Sequence, residues 1–260
     1  MKRPDGRLYG QVRPVKVTYG VYGNADGSVL FELGNTKVLC SVMIQDGVPA
    51  FLRGKGQGWL TAEYTMLPAS TPIRTPREVT TMKRNNRSVE ISRLIGRSLR
   101  AVIDFSKLGE RTIHIDCDVL QADGGTRTAS INGAYCALVA AIEKWIHGNK
   151  SAYPRNFLRN SLAAVSVGWV NGIALLDVNF QEDTHVDADF NFVFTGTGEL
   201  IEIQGNTEKD PLPWHAVQEM KELAVQGVSS ILASVAEGKS PEVSASVAHE
   251  SPSSLYPHLF

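Results

Sequence analysis

The chain has 260 residues, 43% of them hydrophobic and 20% charged, with a formal net charge of −1. That length can bury a sizeable core in one large domain or two small ones. The near-neutral total excludes a globally basic nucleic-acid binder, and no apolar run approaches the ~18 residues that a bilayer span needs. The opening Met1-Lys2-Arg3-Pro4-Asp5-Gly6-Arg7 has no apolar segment behind its charges, so no secretory signal is expected. Cys40, Cys117 and Cys136 form an odd set without CxxC spacing, which predicts free buried thiols in a reducing cytoplasm.

In chain order, Val12 to Tyr19, Ser28 to Leu33 and Lys37 to Ile44 read as strands, punctuated by turn signals at 24–27 and Gly34-Asn35. Gly54-Lys55-Gly56-Gln57-Gly58 opens a loop, and 67–86 is a Pro-, Thr- and Arg-rich stretch without a period, expected to be an exposed, mobile connection. A helix over 88–104 follows from Ile91, Leu94, Ile95, Leu99, Val102 and Ile103 on one face, with Arg93, Arg97 and Arg100 opposite. Residues 111–120 alternate, Ile113, Ile115, Cys117 and Val119 against Thr112, His114, Asp116 and Asp118, which predicts a half-buried strand. After Asp123-Gly124-Gly125-Thr126-Arg127, residues 128–147 read as a helix rich in small side chains.

The second half is expected to repeat this layout. Leu162 to Val170 and Gly172 to Phe180 form a predicted strand pair around Asn171-Gly172. Phe190, Phe192 and Phe194 alternate along another strand, 200–203 returns, and 213–233 is a helix with Pro213 at its start. Strands and helices in blocks indicate an α+β class. Residues 238–260 are dominated by Ser and Pro and predict a disordered tail beyond a domain spanning 1–237.

Four features point to chemistry. Between 74 and 100 lie Arg74, Arg77, Lys83, Arg84, Arg87, Arg93, Arg97 and Arg100, against only Glu78 and Glu90. Such a block attracts polyanions, or is a solvated helix face. The Gly-Gly turn at 124–125 before a helix offers free amides, a Thr126 hydroxyl and the Arg127 fork to an anion; taken alone it also fits an ordinary turn. Arg87, at another helix start, is a candidate second anion ligand, or one of several exposed arginines. Asp177, Glu182, Asp183, Asp187 and Asp189 form an acidic cluster that suits Mg²⁺ and metal-assisted phosphoryl transfer, or a solvated turn. The phosphate loop GxxxxGK[ST], HExxH, paired CxxC and GxSxG are all missing from the sequence.

Read together, these segments resemble the ribonuclease PH family. The likeness runs through Arg3-Pro4-Asp5-Gly6-Arg7, Gly34-Asn35-Thr36-Lys37-Val38 and Gly54-Lys55-Gly56-Gln57-Gly58-Trp59. It continues in Glu90-Ile91-Ser92-Arg93-Leu94-Ile95-Gly96-Arg97, in 116–130, in Glu182-Asp183-Thr184 with Asp189, and in Glu202-Ile203-Gln204-Gly205. The resemblance covers roughly 3–234 and implies a single ribosomal-protein-S5-domain-2-like β-α-β-α domain, assembled as a hexamer built as a trimer of dimers. It implies a phosphate-dependent 3′→5′ exoribonuclease acting on tRNA precursors and other RNAs and releasing nucleoside diphosphates. By position, Arg87, Gly125, Thr126 and Arg127 are expected to bind phosphate. Asp183 and Asp189 are expected to hold Mg²⁺ or protonate the leaving oxygen, and Arg74 and Arg77 to guide RNA. The chain departs from the family pattern at Ala69, across 81–89 and at Asn206-Thr207-Glu208-Lys209. A catalytically inactive RNA-binding ring subunit is therefore the alternative, with a hydrolytic nuclease built on the acids alone as a third.

Overall fold

Alternation of apolar and polar residues places two sheets face to face with helices. The computed structural model describes residues 3–81, 85–147 and 157–238, so the expected tail beyond 238, and Lys83 and Arg84 of the basic block, lie outside the described residues. The first sheet holds β1 (Val15–Tyr19), β2 (Gly27–Leu33), β3 (Thr36–Asp46), β4 (Trp59–Met66) and β5 (Arg111–Gln121), in the order β1-β2-β3-β5-β4. β4 and β5 are parallel because the chain between them crosses over through short helices α1 (Glu78–Thr81) and α3 (Phe105–Leu108) and the long α2 (Asn86–Ala101). β5 turns Ile113, Ile115, Cys117 and Val119 into the core and leaves Asp116 outward, as its period of two predicts. Cys40, Cys117 and Cys136 are free and buried.

Helix α4 (Thr126–His147) lies against β2, β3 and β6 (Leu162–Val170), and so joins the two halves of the core. Its small residues permit close contact. A Cβ on Gly27 would stand 2.1 Å from the carbonyl oxygen of Ala137 in α4, so no larger residue fits there. The second sheet is antiparallel, in the order β7-β6-β8-β9, with β7 (Ile173–Leu176), β8 (Ala188–Thr195) and β9 (Leu200–Thr207). All nine residues of β6 are buried, because α4 contacts it as well as α6 (Trp214–Glu237). Ala216, Met220, Ala224, Val228 and Ile231 supply the buried stripe of α6. No helix of the described residues is long and apolar enough to cross a membrane.

One predicted element is corrected and one strand was not predicted. The strand expected over 172–180 ends at Leu176; Asp177 takes φ +51 and is followed by the short helix α5 (Phe180–Asp183), capped by Asn179. Asn179 accepts from the amide of Glu182 while the Glu182 carboxylate accepts from the amide of Asn179, a reciprocal cap that stops the strand. β4, by contrast, had no predicted counterpart, although Leu60, Ala62 and Tyr64 alternate with Thr61, Glu63 and Thr65.

Candidate active site

The site is assembled where the start of α4, the start of α2 and the α5–β8 segment meet. Gly124 and Gly125 take φ +74 and +65, turning the end of β5 into α4. A side chain on Gly124 is barred, since its Cβ would sit 2.7 Å from the Val178 oxygen and 2.9 Å from the Phe180 nitrogen. The turn is clamped from several directions. Thr36 Oγ1 donates to the Gly124 carbonyl at 2.7 Å and accepts from the Asp123 amide at 3.0 Å. Arg13 donates to the Asp123 carbonyl at 2.5 Å, and the Phe180 amide donates to Asp123 Oδ1 at 3.3 Å.

Behind the turn lies a buried ionic network that sequence reasoning did not anticipate. Asp177 is fully buried and accepts from the Arg13 amide at 2.8 Å, Nε at 2.9 Å and Nη2 at 2.7 Å. Arg7 Nη1 reaches the same carboxylate at 3.3 Å, and Arg3 forks onto Glu182 at 2.7 and 2.8 Å. Burial pulls the Arg13 guanidinium down, but the Asp177 bonds and charge outweigh it and raise its pKa. The acidic cluster therefore divides. Asp177 and Glu182 are structural anchors for the N-terminal arginines, and Asp187 pairs with Lys209 at 2.6 Å. Asp183, at the end of α5, and Asp189, at the start of β8, make no ion pair with another side chain among the described residues.

Those two carboxylates share an electrostatic environment with the predicted arginines. Desolvation raises the Asp183 pKa despite the opposing charges of Arg87 and Arg127, although its outer surface is open to solvent. Desolvation raises Asp189 too, reinforced by the negative charge of Asp183 and opposed by Arg127. Arg87, Arg127, Asp183 and Asp189 are thus brought into one neighbourhood, with Glu208 adding negative charge. Among the described residues no group of three or more ligating side chains forms. A divalent cation here would be held by Asp183 and Asp189 alone and would complete its shell with water and phosphate oxygens, the manner in which Mg²⁺ is commonly held. Desolvation first, and then the charge of Asp183, raise the Asp189 pKa, and a cation between the two carboxylates would oppose both effects, so the donor set fits.

The side that carries the arginine and hydroxyl donors is equally defined. Thr126 is buried, and its Oγ1 accepts from the Tyr64 hydroxyl at 3.1 Å, leaving its own proton to donate. Glu90 accepts from Arg127 Nε at 3.3 Å and Nη2 at 2.9 Å, and from Gln204 Nε2 at 2.9 Å. One edge of the Arg127 fork is therefore fixed, while Nη1 has no hydrogen-bond partner among the described residues. Burial raises the Glu90 carboxyl, but the bonds and charge of Arg127, with Gln204 and Arg87, hold it below its ordinary value. Arg87 lies in the first turn of α2, where the Asn85 side chain caps its amide at 2.9 Å.

The basic block is less free than its sequence suggests. Arg97 donates through Nε to Glu202 at 2.9 Å, and Arg100 stacks 5.0 Å from the centre of the Trp59 ring. Arg77, Arg87 and Arg93 line a cleft of about 1020 Å³ between α2 and β4–β5, whose other side carries Glu63, Asp116 and Asp118. Arg74 is exposed and outside that lining. Arg13, Tyr64 and Glu90 had been given no role; the available signal was Glu90, one of two acids inside a basic run.

Comparison with known proteins agrees with this architecture. Residues 11–142 match the model of the 3′ exoribonuclease family, domain 1, and residues 160–227 match domain 2. Among solved structures, the Archaeoglobus fulgidus exosome with RNA bound to its active site superposes with a TM-score of 0.74 at 22% identity, covering 88% of this chain and 91% of that one. Rice (Oryza sativa) Rrp46 gives 0.69 at 20% identity over 94% and 99% of the two chains. An archaeal exosome core gives 0.70 at 20% identity over 92% of each. At these identities the superpositions establish the fold.

Proposed function

From the premise that the chain belongs to the 3′ exoribonuclease family, we propose that it is a phosphate-dependent 3′→5′ exoribonuclease acting on the 3′ ends of tRNA precursors and other RNAs. The observation that carries the reading is the meeting of Arg87 and Arg127 with Asp183 and Asp189 beside the Thr126 hydroxyl. An orthophosphate held by Arg87, Arg127, Thr126 and the Gly125 amide attacks the phosphorus of the last phosphodiester. A bond forms from the phosphate oxygen to that phosphorus, and the bond to the penultimate 3′ oxygen breaks. The terminal nucleotide leaves as a nucleoside diphosphate, and the freed 3′ oxygen takes a proton. With no cation bound, the Asp183 carboxyl, its pKa raised by desolvation, is suited to supply that proton; where Asp183 and Asp189 hold Mg²⁺ instead, solvent supplies it.

The nucleophile is phosphate itself, so the protein needs no activated serine or cysteine. Its task is to position two anions against each other and to neutralise their charge. Mg²⁺ at Asp183 and Asp189 would supply further neutralisation of the phosphate oxygens. Arg74 and Arg77 guide the RNA, and assembly as a homohexamer, a trimer of dimers, places further basic surface around it.

The test is to incubate the protein and Mg²⁺ with 5′-labelled RNA, with and without phosphate. Shortening only with phosphate, with nucleoside diphosphate products, is expected; equal shortening in both, or monophosphate products, excludes the proposal. The second reading, a catalytically inactive RNA-binding ring subunit, is favoured by Ala69 and the changed 81–89 and 206–209 segments. It predicts tight RNA binding without phosphate-dependent turnover.

A further inference from the structure

Phe180 is an exposed aromatic residue on a rigidly held backbone. It opens α5, the residue is 54% exposed, and it joins none of the three apolar clusters of the described residues. It makes no ring contact among the described residues. Its amide is fixed to Asp123 Oδ1 at 3.3 Å, and its nitrogen lies against Gly124 closely enough to forbid a side chain there. The folding core gains nothing from this ring, yet its attachment to the glycine turn is firm.

Its position relative to the site is set by helix geometry. Phe180 and Asp183 are three residues apart on α5, so they share a face, while Glu182 between them points into the buried network. Asp183 feels the charges of Arg87 and Arg127. The Phe180 backbone is therefore held against the glycine turn that leads to Thr126 and Arg127, on the same short helix that carries Asp183. In an in-line displacement, the attacking phosphate and the leaving 3′ oxygen lie on opposite sides of the phosphorus. The nucleoside that stays attached to that phosphorus projects sideways, between the anion site and the acid.

We propose that Phe180 is the stacking platform for the base of the 3′-terminal nucleotide. This rests on the reading of the pocket as one that processes RNA 3′ ends, and adds to it the residue that seats the departing nucleoside. A phenyl face accepts any base, because every base has a π-face, so it confers grip without sequence preference. It also favours a terminus that is unpaired, since a base stacked in a duplex cannot reach it.

The test compares wild type, Phe180→Ala, Phe180→Leu and Phe180→Trp on two RNAs that differ only in carrying an intact or an abasic 3′-terminal nucleotide. Binding is read by fluorescence anisotropy without phosphate, and phosphorolysis by initial rates. On intact RNA, Phe180→Ala and Phe180→Leu are expected to raise Kd and the KM for RNA about tenfold, with Phe180→Trp close to wild type. On abasic-ended RNA all four proteins should be alike, and the KM for phosphate should not move. An equal loss on both RNAs, or no loss on intact RNA, overturns the proposal. If wild type binds RNA without phosphorolysis, the reading of the reaction fails, while the anisotropy comparison still decides the role of Phe180.

Discussion

Replacing Asp177 by Asn removes one charge from the network that holds the glycine turn while preserving side-chain size and the tolerance of a positive φ. The native carboxylate takes three hydrogen bonds from Arg13 and one from Arg7, in a place with no solvent access. Losing one member of a buried ion pair costs about 3–5 kcal/mol, and the amide oxygen of Asn still accepts some of these bonds, so the lower end applies. With a urea slope of roughly 2–3 kcal/mol/M, the unfolding midpoint should fall by about 1 M. Arg13 also holds the Asp123 and Gly124 carbonyls, so the KM for phosphate should rise in the protein that remains folded. Urea denaturation followed by tryptophan fluorescence, with phosphate titrations at fixed RNA, measures both. A midpoint within 0.2 M of wild type, a margin of about 0.5 kcal/mol at that slope, would refute the claim that this network anchors the site.

Other expectations follow from the same contacts. Gly124→Ala places a Cβ against backbone atoms that cannot swing aside, in a residue at φ +74, and should cost about 1–3 kcal/mol or more of stability. Arg127→Lys keeps the charge but loses the fork, and kcat/KM for phosphate should fall about ten- to a hundredfold, from the ~1.5–3 kcal/mol of a charge-assisted bond. Glu90→Gln should lower stability by only about 0.5–1 kcal/mol, because the pair with Arg127 is partly exposed and screened, while raising the KM for phosphate. The folded pKa of Glu90 is depressed, so its stabilisation is present above the unfolded value and is lost as pH falls through the folded one. The stability gap between wild type and Glu90→Gln should therefore be constant from pH 8 to about 5 and close at lower pH. A gap that widens on acidification would contradict the assignment.

The elements that the sequence made legible are those whose period survives in the fold. β5 alternates because one face meets the core, and the buried face of α2, from Ile91 to Leu99, repeats at helical spacing. Helix starts were displaced by two residues, α2 beginning at Asn86 behind the Asn85 cap and α4 at Thr126 directly after the glycine turn, because these local devices rather than periodicity set them. The failure at 172–180 has a different cause. Val178 is apolar and Asn179-Phe180 can follow a strand, but the positive φ of Asp177 and the reciprocal cap of Asn179 with Glu182 depend on Arg3 and Arg13, more than 160 residues away in sequence. A local pattern cannot register a partner so distant. The same distance hid the division of the acidic cluster: composition alone does not distinguish Asp177, bound by two arginines, from Asp183, which faces the site.

The placement of these charges bears on why the chain buries them at all. Buried ion pairs are poor sources of net stability, since desolvation absorbs most of their attraction. Their geometric demands are strict, however, and the buried Arg3 and Arg13 pairs, with the partly exposed Arg127–Glu90 pair, each connect a part of the candidate site to a part of the scaffold. Arg13 ties Asp177 to the glycine turn, Arg3 ties the N-terminal segment to the helix that presents Asp183, and Glu90 ties Arg127 to α2 and, through Gln204, to β9. The two halves of the site come from different sheets, so an apolar contact between them would tolerate sliding that two reacting phosphates could not. Directional bonds fix that register, and a displacement of about 1 Å in such a site can cost a hundredfold in rate. On this argument, replacing the network with well-packed apolar residues should leave a stable protein that binds phosphate poorly, a separation of stability from function that the Asp177→Asn and Glu90→Gln comparisons begin to measure.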